Sequence, residues 1–107
     1  MKRGSVWWVE FDPAVGSEIH KTRPAVIVSN ETANKYLARV VVVPLTSSVS
    51  RLYPGEATLT VNGKKNKAMT DQIMSADKSR LKNKIGELTD NDMSSLETAM
   101  KTFLNLL

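Results

Sequence analysis

Gly16–Asn30 reads GSEIHKTRPAVIVSN, and its second half decides the fold. Ala25-Val26-Ile27-Val28 is an unbroken apolar run of strand length, which marks a buried β-strand. Pro24 fixes its own φ, lacks a backbone donor and pushes Arg23 towards an extended conformation. Arg23 is thereby held at the start of a rigid strand. A guanidinium anchored in this way presents fixed positive charge to a phosphate. Taken alone, the same residue also reads as one surface arginine among many.

A second run of this kind, Val40-Val41-Val42-Val43, lies in a strand read from Arg39 to Leu45 and ended by Pro44. Thr46, Ser47 and Ser48 place three hydroxyls at its mouth. Continuous apolar strands are covered on both faces, and two of them in so short a chain argue for a closed or nearly closed barrel. Ser5–Asp12, SVWWVEFD, is a further strand, rich in β-branched and aromatic residues and bounded by Gly4 and Pro13. Of its two faces, Trp7, Val9 and Phe11 are expected in the core, and Val6, Trp8 and Glu10 outside it. Trp8 then lies at a barrel rim or subunit contact, with a base-stacking platform as the other reading.

Between these strands, Arg23 to Asn30 is read as extended and Glu31 to Arg39 as one short helical turn. Ala57–Val61 and Lys67–Ile73 flank Asn62-Gly63, the strongest short hairpin signal. Lys78, Arg80, Lys82 and Lys84 alternate, and in an extended segment they line one face, the plainer reading being an edge protected by lysines. Ile85–Leu88 is the last short strand. Thr89 caps a C-terminal helix with Asp92 at the reciprocal position. Met93, Leu96, Met100, Phe103, Leu104 and Leu107 form its apolar stripe.

The 107 residues are read as one domain, 1–107, able to bury roughly 65% of the surface that the unfolded chain exposes. A hydrophobic share of 41% and a charged share of 24% fit a soluble globular protein. No apolar run approaches the length of a membrane span. Met1-Lys2-Arg3-Gly4 leads directly into strand-like sequence and does not read as a signal peptide, so a cytoplasmic location and no membrane partner are expected. The absence of cysteine excludes disulfides and thiolate metal sites. A net charge of +4 mildly favours an anionic partner.

The chemistry on offer is narrow. His20 is the one histidine, set beside Lys21 and Arg23, and reads as a surface residue. No acidic triplet or glycine-rich phosphate loop occurs, so no metal and no cofactor are expected. What remains is arginine, threonine, serine, the loop acid Glu18 and the pair Asp71-Gln72. That set suits cleavage of RNA by its own 2′-hydroxyl. Arg23 supplies a forked donor for the phosphoryl oxygens, a hydroxyl such as that of Thr46 donates to the same oxygens, and two protons have to be moved. Lys21, Arg51, Lys64 and Lys65 are candidates to steer the RNA.

Four blocks in order, RGSVWWVEFDPAVGSE (3–18), KTRPAVIVSN (21–30), VVVVPLTSS (40–48) and DQIMSADKSRL with KIGELT (71–81 and 84–89), resemble the MazF/PemK type of bacterial toxin over nearly the full chain. The resemblance implies a mainly β fold with a C-terminal α-helix, a compact antiparallel SH3-like barrel of the MazF/PemK/CcdB type. It also implies a homodimer, a cognate antitoxin of the MazE type, and a metal-independent endoribonuclease that cuts single-stranded RNA at short sequences. The implied products carry a 2′,3′-cyclic phosphate and a free 5′-hydroxyl. The family's main catalytic pair falls on Arg23 and Thr46, and the acid of the GSE block, Glu18, is a candidate general base. Asp71 matches a base in another scheme, whose arginine acid is replaced here by Met69. Asn30, Ser47 and Gln72, with Lys21, match positions near RNA. The loop from Pro13 to Thr22 resembles the mobile segment that opens for substrate, or that an antitoxin peptide displaces. Similar chains poison DNA gyrase, but those end in Trp-Gly-Ile, whereas this chain ends Phe103-Leu104-Asn105-Leu106-Leu107. A non-catalytic RNA-binding barrel is the third alternative, and the presence of both Arg23 and Thr46 argues against it.

Overall fold

The strand that carries the run of four valines, β3 (Arg39–Thr46), lies at the centre of the sheet. A computed structural model describes residues 1–50 and 52–106; Arg51, expected to steer RNA, and Leu107, expected at the end of the helical stripe, lie outside them. The other strands are β1 (Ser5–Glu10), β2 (Thr22–Ile27), β4 (Ala57–Val61), β5 (Lys64–Ala68), β6 (Met74–Asp77) and β7 (Leu81–Glu87). Helices α1 (Glu31–Tyr36) and α2 (Asp90–Leu104) complete the chain. The sheet runs β4-β5-β3-β2-β1-β7, all pairs antiparallel, with β6 beside β3. It curls into a half-barrel, and the fold is mainly β with a C-terminal helix.

Pro44 does not end β3, as expected, but lies inside it. One edge of β3 is taken by β2; the other is divided between β6, over Arg39–Val42, and β5, over Leu45–Thr46. Pro44, which has no N–H to give to a ladder, falls in the gap between those two partners. Its carbonyl accepts the Met69 N–H at 2.9 Å.

Both faces of the sheet are covered. Val26, Val43, Leu45, Leu59 and Leu96 form one core with α2, and Val9, Phe11, Ala25, Ile27, Val42 and Leu81 form another on the opposite face. Because successive residues point to opposite faces, the valine runs feed both cores at once. This corrects the expectation for β1: Val6 is fully buried, in the core under α2, while Val9 and Phe11 enter the other. Trp8 is 41% exposed, on the outside as expected.

Asn62 and Gly63 both have positive φ, +50° and +78°, the two-residue turn that matches the twist of a hairpin. The register Val61↔Lys64 starts β5 directly after it; the strand expected over Lys67–Ile73 is therefore β5, ending at Ala68, followed by a 3₁₀ turn at Thr70–Gln72. The Asn62 side-chain amide then reaches the other edge of the half-barrel, donating to the Ile85 carbonyl at 3.0 Å. A side chain at Gly86 would put its Cβ 2.9 Å from Asn62 Oδ1, so any larger residue there would have to displace the Asn62 amide.

The basic segment is not one extended face. Asp77 caps a 3₁₀ turn, Lys78–Arg80, that separates β6 from β7. Lys78 Nζ donates to the Asn34 carbonyl at 2.5 Å, Arg80 Nη1 to the Glu10 and Asp12 carbonyls, and Lys82 and Lys84 pair with Glu10 and Glu87. At α2 the Thr89 hydroxyl accepts the Asp92 N–H at 3.2 Å. The Asp92 carboxylate turns to β4 instead of closing the box, accepting the Thr60 N–H at 2.9 Å. Among the described residues no helix is long and apolar enough to cross a membrane.

Candidate active site

Two strand ends build the main cleft. Arg23 enters it from the start of β2, and Thr46 from the end of β3. The β2–β3 register runs Ile27↔Val42, Val26↔Val43, Ala25↔Pro44, and two further steps bring Arg23 level with Thr46. Lys21, Ser47, Lys64 and Asn66 also line this space, whose volume is about 450 Å³. Trp8, Pro24, Leu45, Val61 and Ile85 give it a largely apolar floor. Three cations face the cleft and, among the described residues lining it, no carboxylate does. That is an electrostatic preference for an anion.

The guanidinium is oriented from behind. Arg23 Nε donates to the His20 carbonyl at 3.0 Å, and among the described residues nothing engages the two Nη groups. The Thr46 hydroxyl accepts the Ser48 N–H at 3.2 Å. A hydroxyl that accepts keeps its own proton to donate. Lys21 holds a left-handed backbone, φ +67°, with its N–H on Asp12 Oδ1 at 3.1 Å and its carbonyl accepting the Phe11 N–H at 2.9 Å. Those bonds close the base of the loop that leads into β2.

The remaining expected residues lie elsewhere. Glu18, Asp71 and Gln72 line a second cleft of about 270 Å³ with Phe11, Pro13, Met74 and Arg80. Glu18 Oε1 accepts the Val15 N–H at 2.7 Å within its own loop. Gln72 is bound to that loop through both ends of its amide, taking the Ile19 N–H at 3.1 Å and donating to the Ser17 carbonyl at 3.3 Å. Asn30 caps α1, its side chain accepting the Ala33 N–H at 2.8 Å. Arg23, Thr46, Lys21 and Ser47 are thus brought together, whereas Glu18, Asp71, Gln72 and Asn30 are not part of that cleft. Among the described residues no three of His, Asp and Glu gather as metal ligands would.

Asn66 was not expected at the site. It is 7% exposed and lines the main cleft from the middle of a lysine-rich strand. The signal available was the hairpin itself: a two-residue turn at Asn62-Gly63 sets Asn66 opposite Leu59.

Residues 2–104 match the family of PemK-like, MazF-like toxins of type II toxin–antitoxin systems. The chain is 39% identical over 115 aligned positions to endoribonuclease MazF9 of Mycobacterium tuberculosis, across 99% of this chain and 98% of that one. It belongs to this toxin family. The solved structure of a mycobacterial endoribonuclease in complex with its cognate antitoxin, 28% identical, superposes with a TM-score of 0.84 over 100% of this chain and 97% of that one. MazF of Deinococcus radiodurans, 25% identical, gives a TM-score of 0.87 over 99% and 97%. The half-barrel with its C-terminal helix is thus the architecture of other MazF-family toxins.

Proposed function

We propose that this chain is the toxin of a type II toxin–antitoxin pair and cuts single-stranded RNA in the cleft between β2 and β3. The observation that carries the proposal is the convergence of Arg23 and Thr46 in a space lined by three cations and no carboxylate among the described residues. Relatives named as endoribonucleases support the reaction class. In this scheme the free Nη groups of Arg23 and the Thr46 hydroxyl donate to the non-bridging oxygens of one phosphodiester. The adjacent 2′-hydroxyl loses its proton and bonds to phosphorus as the bond to the 5′-oxygen breaks. That oxygen takes up a proton, leaving a 2′,3′-cyclic phosphate and a 5′-hydroxyl. Lys21, Ser47 and Lys64 flank the path of the backbone. Glu18 enters such a scheme only if its loop moves, because its carboxylate is held on Val15 outside the cleft.

The wider reading is a cytoplasmic homodimer silenced by a cognate antitoxin; the mycobacterial endoribonuclease to which the chain is similar was solved in complex with its cognate antitoxin. The test is incubation of purified protein with mixed RNA in EDTA, followed by mapping of 5′-hydroxyl ends. Discrete 5′-hydroxyl ends that disappear in Arg23→Ala support the proposal. Intact RNA with trapped gyrase–DNA breaks would make the chain a gyrase poison, and RNA binding without scission would make it a passive barrel.

A further inference from the structure

We infer that Asp12 is a positioning residue for Arg23, acting through a single peptide unit. The inference rests on the assignment of Arg23 to the phosphate. Asp12 Oδ1 accepts the Lys21 N–H at 3.1 Å, and the His20 carbonyl accepts the Arg23 Nε–H at 3.0 Å. That N–H and that carbonyl belong to the same peptide bond, between His20 and Lys21. A trans peptide is planar, and its two polar groups point in opposite directions. The carboxylate therefore grips one edge of the plane and the guanidinium the other. With the N–H fixed, the direction of the carbonyl is fixed too. A carboxylate on the N–H also polarises the peptide and makes its carbonyl a stronger acceptor.

The backbone at Lys21 shows why this plane needs holding. Its φ of +67° lies in the left-handed region, which residues with a side chain like lysine rarely adopt. Relaxing that angle to the ordinary negative range turns the His20–Lys21 plane and swings the carbonyl away from Arg23. The next plane along is held independently, by the Phe11 N–H on the Lys21 carbonyl at 2.9 Å. The freedom that remains is thus at the plane that Asp12 grips. Asp12 is in turn fixed from behind, because Arg80 Nη1 donates to the Glu10 and Asp12 carbonyls at 2.9 and 2.7 Å. Asp12 does not line the main cleft, so its effect on the reaction passes through the peptide.

Asp12→Ala and Asp12→Asn are the test. Without the acceptor, single-turnover cleavage at saturating RNA should fall roughly 10–100-fold, the cost of misplacing a catalytic group by up to about 1 Å. Affinity for RNA blocked by a 2′-deoxy sugar at the scissile position should hold. Asp12→Asn keeps a neutral, weaker acceptor, and its rate should lie between those of wild type and Asp12→Ala. Arg23→Lys has no Nε–H to give to His20, so in that background Asp12→Ala should cost nothing more. An equal loss there would make the role of Asp12 structural only and overturn the inference. So would weaker binding of the blocked RNA with an unchanged saturating rate. The arrangement can also be read without RNA, by ¹⁵N spectroscopy. The Lys21 N–H and the Arg23 Nε–H should lose exchange protection together, fully in Asp12→Ala and in part in Asp12→Asn. An unchanged Arg23 Nε–H would overturn the inference, and Asp12→Asn carries this comparison even if Asp12→Ala does not fold. These signals do not depend on cleavage, so they separate failure of this inference from failure of the ribonuclease assignment.

Discussion

Arg23 and Thr46 occupy the positions two steps beyond the paired Ala25 and Pro44, at adjoining ends of β2 and β3. A rigid donor pair of this kind acts where charge develops in the transition state. Thr46→Val keeps the shape and removes the donor, and single-turnover cleavage should fall about 10²–10³-fold. Thr46→Ser should retain most of the rate. Arg23→Lys keeps the charge but loses the planar fork, and its rate should fall between those of wild type and Arg23→Ala.

Glu18 offers a sharper division. Glu18→Gln can still accept the Val15 N–H but cannot take a proton as a base. Given its place outside the main cleft, the variant should cleave at nearly the wild-type rate. A loss of about 10²–10⁴-fold would show that the loop carries this carboxylate into the cleft as general base.

Lys64 lines the cleft from β5, and its contribution should be electrostatic. Binding of uncleavable RNA to Lys64→Ala should weaken, with the slope of log affinity against log salt shallower by about 0.7, the value for one phosphate contact on a single strand. Maximal cleavage at saturating RNA should not change.

The Asp92 carboxylate joins α2 to the edge of β4 by accepting the Thr60 N–H. Asp92→Ala breaks that link and removes a favourable charge from the first helical turn, so urea unfolding should show a loss of about 1–2 kcal/mol. Thr89→Ala should cost about 1 kcal/mol through the lost cap.

Asp77 titrates below the ordinary aspartate range, chiefly because the Ser79 hydroxyl and then its N–H bind the carboxylate. The folded group holds its proton less readily than the unfolded one. Its stabilising contribution is therefore present above the usual value near 3.8 and is lost as pH falls through the lower folded value. In Asp77→Asn the urea midpoint should decline less steeply on acidification below about pH 4.

Much of this was legible in the sequence because the strongest signals are local. The valine runs and the Asn62-Gly63 turn located the strands of the half-barrel, and Pro24 marked where Arg23 begins one. What was hidden depended on partners distant in the chain. Val6 is buried because α2 covers its face of the sheet, which alternation within β1 cannot disclose. Pro44 stays in its strand because β6 and β5 leave a gap beside it. The alternating cations from Lys78 to Lys84 resembled a single strand until Asp77 capped a turn within them. At the site, Arg23 and Thr46 were readable as polar residues at the ends of apolar strands. Glu18 was not, because the direction of its loop is set by Gln72, more than fifty residues away.

The divided edge of β3 means that the two jaws of the cleft are carried by different neighbours. Thr46 is paired with Lys67 on the β4–β5 hairpin, and Arg23 with Val9 on β1. Sliding the hairpin against the remaining strands would alter the bite between guanidinium and hydroxyl without touching either side chain. A compound wedged behind that hairpin would accordingly disarm the protein from the rear, leaving its mouth empty.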